Sequence, residues 1–149
     1  MGGQGVPMIN YPVSFFAEST APSGLKTSWD VRSSDFEAVC SVPKEFEGNG
    51  GSFSPEDFFL LSLQNCFVAT FKVYAEYPKL NFDRLDVHGE LIVDKDDNQK
   101  PMMKIVNLKI AIHNVSDQKK AALLAKKTIE NGFILQSVKT EIRHELILN

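Results

Sequence analysis

An α+β fold is predicted for this chain from three observations. Strand-like segments cluster ahead of a long apolar helix, a strand hairpin follows that helix, and one amphipathic helix and one strand close the sequence. Helices and strands are segregated along the chain, unlike the regular alternation of a parallel α/β sheet. With 149 residues, 43% of them apolar, the chain has the size and apolar content of a single domain, residues 1–149.

The first strands are read at residues 12–17, 25–31 and 36–42, a meander separated by Pro22-Ser23-Gly24 and Ser33-Ser34-Asp35. Glu47-Gly48-Asn49-Gly50-Gly51 is then a loop whose glycines lift the steric limits on φ. Ser54 is a fitting N-cap, Pro55 suits the first helical position, and Asp57 completes a capping box. The helix should run to about Tyr77, because Pro78 pushes the residue before it out of the α region. In the hairpin, Leu85, Val87, Leu91 and Val93 alternate with polar residues. The turn lies over 94–101, and Val106, Leu108, Ile110 and Ile112 share one face of the second strand. Ser116 or Asp117 caps a second helix to Ile129, with Asn131-Gly132 as a left-handed C-cap, and a last strand spans 140–148.

Composition excludes several function classes. A net charge of −3 with both signs scattered provides no basic face for nucleic acid. The apolar run at 58–71 is interrupted by Ser62, Gln64, Asn65 and Thr70 and falls short of the roughly 20 residues of a membrane span, so a buried helix and no membrane partner are expected. Residues 1–6 lack a signal-peptide pattern, and Val6 stands where a myristoylation motif wants Ser or Thr, so no targeting is expected. Two cysteines, Cys40 and Cys66, are too few for a disulfide scaffold and lack C-x-x-C spacing, which points to a reducing cytoplasm. His88 and His113 fall on polar strand faces and His144 on an apolar one, with no metal-ligand spacing, so no metal or cofactor is expected. The loop before the helix lacks both the lysine of a phosphate loop and the G-x-S-x-G elbow.

The chemistry-bearing pair is Glu56 and Cys66, ten positions apart on one helix. A thiol of ordinary pKa, about 8.5, is mostly protonated at neutral pH and needs an electropositive neighbour to become a nucleophile. On a straight helix the two residues are about 15 Å and roughly 80° apart, so a long basic side chain must bridge them. Each residue also has a structural explanation. A lone cysteine in an apolar helix commonly packs, and Glu56 in the first turn favours the helix dipole whatever the protein does. Cys40, in strand alternation with Phe36 and Ala38, reads as core.

The run Gly50-Gly51-Ser52-Phe53-Ser54-Pro55-Glu56-Asp57-Phe58-Phe59-Leu60-Leu61-Ser62-Leu63-Gln64-Asn65-Cys66 resembles the OsmC/Ohr family of osmotically inducible and organic-hydroperoxide-resistance proteins. The order of the remaining elements agrees over nearly the whole chain. The resemblance implies an OsmC-like fold in an intertwined homodimer. It also implies a peroxidatic cysteine at Cys66, a glutamate at Glu56 that holds a basic residue, and Lys26 or Arg32 as that residue. The family's resolving cysteine falls in the stretch Gly132-Phe133-Ile134-Leu135-Gln136-Ser137-Val138, with Gly132 in its place. Turnover would then draw on Cys40, an external thiol or another small reductant acting on a sulfenic acid. The expected function is reduction of organic hydroperoxides through Cys66. The alternative is a non-catalytic dimer that keeps the pocket and binds a small apolar ligand or a partner. An apolar helix of this kind also wants cover on every side, which independently favours a symmetric dimer.

Overall fold

The structure, a computed structural model, describes residues 9–149; the N-terminal segment read for targeting signals lies outside them. The described residues form two compact units, 9–59 and Leu60–Asn149.

In the first unit, β1 (Glu18–Thr20), β2 (Trp29–Ser33) and β3 (Phe36–Cys40) form an antiparallel sheet in that order. The meander is as expected, but its first strand is not at 12–17. Pairing begins at Glu18, opposite Arg32. Phe15 and Phe16, which made 12–17 look strand-like, are 91% and 81% exposed. Aromatic β-propensity reflects packing on a half-covered pleated surface, and these rings have none. After Cys40 the chain forms a short 3-10 turn, Lys44–Phe46, and the loop carries Gly50 and Gly51 at φ +62° and +82°. It returns so that Phe53 bridges to Cys40.

The helix α1 (Pro55–Glu76) starts on the expected capping box. The Asp57 amide donates to Ser54 Oγ at 3.0 Å, and the Ser54 amide donates to Asp57 Oδ2 at 2.9 Å. Two of the helix's orphan N-terminal amide donors are thereby satisfied. Its 22 residues, with a mean hydropathy of 1.3 over the most apolar window, meet the length and composition of a membrane span, a test that the core helix of a soluble protein also passes. The run at 58–71 is too short to span, but the whole helix is not. Only 33% of that window is buried in the single chain, less than a helix covered on all sides requires.

In the second unit, β4 (Arg84–Lys95) and β5 (Pro101–His113) form the expected hairpin, and β6 (Glu141–Leu148) lies parallel to β5. Parallel neighbours require a long crossover, which α2 (Gln118–Asn131) supplies. One β-α-β step therefore sits inside an otherwise segregated order. Val106, Leu108, Ile110 and Ile112 are all at most 2% exposed, as their alternation predicts, and Leu63, Phe67 and Phe71 of α1 are fully buried. Phe67 stacks on Phe71, whose ring meets Phe82 edge-on. Gly89, in the middle of β4, gives α1 its close approach. A Cβ there would lie 2.8 Å from Gln64 Oε1 and 2.9 Å from Leu60 Cδ1. Gln64 Nε2 donates to the Val87 carbonyl at 2.9 Å and ties the same helix to the same strand.

Candidate functional site

Cys66 lies on the α1 turn between the buried Leu63 and Phe67 and is itself 8% exposed, with a free thiol. Its sulfur has two notable neighbours. Thr70, one turn further along, places Oγ1 at 4.0 Å from Sγ. On another side is Gly132, at the end of α2, where a Cβ would stand 3.0 Å from Sγ.

Gly132 is not the left-handed cap that its sequence suggested. Its φ and ψ are −59° and 129°, which any residue adopts, and its amide donates to the Thr128 carbonyl at 2.8 Å. Space, not φ, is what favours glycine here. A Cβ would also meet Leu135 Cδ1 at 2.9 Å and the Thr128 carbonyl at 3.1 Å. Local sequence grammar explained the residue by backbone freedom, whereas its constraint is tertiary and includes the Cys66 sulfur.

Glu56, Lys26, Arg32 and Cys40 all belong to the unit of residues 9–59. Glu56 is half-buried, and its Oε1 is sealed from solvent with no hydrogen-bond partner among the described residues. A carboxylate oxygen so placed carries a desolvation penalty that a cation or N–H donor would relieve. Of the two basic candidates, Arg32 is paired on the sheet with Glu18 and, at 3.7 Å, with Glu37. The Glu18 contact is the main cause of its raised pKa. Lys26 occupies the exposed turn before β2, where its carbonyl accepts from Asn49 Nδ2 at 2.8 Å. Neither supplies the missing donor to Glu56.

Cys40 closes β3 opposite Trp29 and is 2% exposed. It is core, as expected, although the face it shares is not: Phe36 on the same alternation is 81% exposed. Burial pushes the Cys40 thiol up, the Ser41 backbone amide partly offsets this, and the charges of Glu56 and Asp57 push it further. That Glu56 lies close enough to Cys40 to act on it was not legible from residue spacing.

The histidines stay outside this chemistry. His88 and His144 are exposed, and His113 Nε2 meets Asp86 Oδ2 at 2.9 Å in a surface cluster with Arg84, which holds the Asp86 carboxyl below its usual range. No group of His, Cys, Asp and Glu able to hold a metal is found among the described residues.

A family model described as OsmC-like protein matches residues 48–147. No curated protein matches the chain in sequence. Among solved structures, an OsmC-like protein of unknown function from Vibrio cholerae superposes with a TM-score of 0.81 at 17% identity, covering 91% of this chain and 100% of its own. An organic hydroperoxide resistance protein OsmC from Legionella pneumophila gives 0.72 at 19%, covering 94% and 99%. The organic hydroperoxide resistance protein OhrB of Bacillus subtilis gives 0.66 at 20%, covering 91% and 98%. At such identities the superpositions establish the shared fold, and the family match supplies the lineage. The capping box, the helix that carries Cys66, the hairpin and the β-α-β close all fall within the matched residues, and this chain belongs to the OsmC-like protein family.

Proposed function

We propose that this protein reduces organic hydroperoxides through Cys66 and carries out the oxidative half of the reaction with a single cysteine. The observation that carries the reading is the packing of Gly132 on the Cys66 sulfur. The residue expected in the family's resolving position lies beside the thiol, where an added Cβ would stand 3.0 Å from the sulfur, and it brings no thiol of its own. In the reaction the Cys66 thiolate bonds to the distal peroxide oxygen and the O–O bond breaks. The alkoxide leaves and takes up a proton to become an alcohol, and the sulfur is left as a sulfenic acid, oxidised by two electrons. Two equivalents of an external thiol restore it. The first forms a mixed disulfide and releases water, and the second displaces Cys66 as a thiol.

The basic residue that favours the thiolate is Lys26 or Arg32, drawn to Glu56, whose sealed Oε1 has no hydrogen-bond partner among the described residues and would be relieved by a cation. Delivery of that residue is a function of the homodimer. Support for a second copy comes from α1, buried over only a third of its apolar window, and from the 81% and 44% exposure of Phe36 and Phe53. A reducing cytoplasm suits a protein whose two cysteines are both free.

The reading is tested by counting peroxide molecules consumed per chain. Reduced protein alone should consume one equivalent of cumene hydroperoxide and stop, and added thiol should restore continuous consumption. Cys66→Ser should consume none. Consumption by Cys66→Ser at the wild-type level would contradict the reading.

A second reading, a non-catalytic dimer that binds a small apolar ligand, draws on the hollow of about 620 Å³ lined by Val39, Gly51, Ser52 and Phe53. It predicts no stoichiometric consumption and saturable binding of an apolar fluorophore that Val39→Asp abolishes.

A further inference from the structure

Threonine inside a helix ordinarily turns its hydroxyl back to the carbonyl four residues earlier. Thr128 does so here, donating to the Leu124 carbonyl at 2.8 Å. Asn65 and Asn131 make the same backward contact, to the Leu61 and Lys127 carbonyls. Thr70 departs from this habit. Its half-buried hydroxyl makes no bond to the Cys66 carbonyl, and its one polar contact among the described residues is the Cys66 sulfur at 4.0 Å. On another side of the sulfur is Gly132, where even a single Cβ would stand 3.0 Å from Sγ, so α2 passes close to the sulfur there.

We propose that Thr70 is a positioning residue for Cys66, its hydroxyl donating to the sulfur once the thiol has lost its proton and holding the thiolate in one orientation for attack. This rests on the reading that Cys66 reacts as a thiolate. The donor direction follows from the charge state. A thiolate can only accept, so the hydroxyl must donate, and a bond to an ionised acceptor is shorter and stronger than one between neutral groups. At 4.0 Å the contact is at the outer limit of a hydrogen bond to sulfur, and on this proposal it shortens when the thiolate forms.

The test compares Thr70→Val, which keeps the shape and removes the hydroxyl, with Thr70→Ser, which keeps the hydroxyl. Site-resolved mass spectrometry follows alkylation of Cys66 by iodoacetamide from pH 6 to 9 in the full-length protein, and circular dichroism checks that each variant is folded. The expected result for Thr70→Val is a rate at pH 7 reduced about tenfold, the low end for one hydrogen bond to a charged acceptor, with the pH–rate profile moved to higher pH. Thr70→Ser should keep the wild-type profile. Equal rates in all three proteins, or equal slowing in both variants, would overturn the proposal, because a purely structural role would not distinguish the hydroxyl. The probe is an alkylating agent, so a failure of peroxide chemistry in the wild type is read separately from a failure of Thr70.

Discussion

Cys40 and Cys66 are both buried free thiols on regular elements, and they differ in what surrounds the sulfur. Cys40 closes a strand beside the carboxylates Glu56 and Asp57, and both burial and negative charge keep its proton on. Cys66 faces a hydroxyl on its own helix and the backbone of a glycine from another. Burial alone therefore does not sort structural from reactive thiols. The sign and type of the neighbouring groups do, because the thiolate is the nucleophile.

The most forceful way to alter this contrast is to give Cys66 a thiol partner. A β carbon stands about 3 Å from the far sulfur across an S–S bond of about 2.05 Å, and the Gly132 Cβ position is 3.0 Å from Cys66 Sγ. Gly132→Cys should therefore oxidise to a 66–132 disulfide with a shift of Leu135, seen as the loss of two hydrogens by intact mass. On the chain-entropy account, closing that loop stabilises the oxidised form by about 4 kcal/mol relative to the reduced, read by denaturant unfolding with and without reductant. Gly132→Val tests the same contact from the other direction. A branched side chain with nowhere to go should cost about 1–3 kcal/mol, and a neutral result would show that α2 does not press on Cys66 as described.

Smaller effects sharpen the Cys40 side. Ser54→Ala removes one half of the capping box that starts α1 and should cost about 1 kcal/mol in urea unfolding. Cys40 has a folded pKa above its unfolded one, so its neutral thiol contributes stability that is fully present below about pH 8.5 and is lost as pH rises through the folded value. Cys40→Ala should lower stability at neutral pH and flatten its decline in the alkaline range. An unchanged alkaline slope would mean that neither burial nor the carboxylates raise the Cys40 thiol.

Features set by neighbouring residues were legible in the sequence. The Ser54-Pro55-Glu56-Asp57 start formed its reciprocal cap, and the alternation of Val106, Leu108, Ile110 and Ile112 marked the buried face of β5. Features set by distant contacts were not. The aromatic residues near Phe15 suggested a strand at 12–17, which ends one residue before pairing begins, because the pairing at Glu18 depends on Arg32 across the sheet. Gly132 read as a cap because its constraint comes from Cys66, 66 positions away in sequence. Thr70 carried no signal at all, since a threonine four residues after a cysteine normally bonds to the backbone. The Cys66 and Glu56 positions came from the family pattern, whereas the closeness of Glu56 to Cys40 required coordinates.

Oxidising both thiols in one tube shows whether their surroundings make them differ in kind. Fully reduced wild-type protein is mixed with limiting cumene hydroperoxide, quenched over milliseconds to minutes and peptide-mapped for sulfenic acid at each cysteine. Rapid oxidation of Cys66 is expected, with Cys40 remaining a thiol throughout. Equal slow oxidation of both cysteines, at the rate of a free thiol in solution, would contradict it.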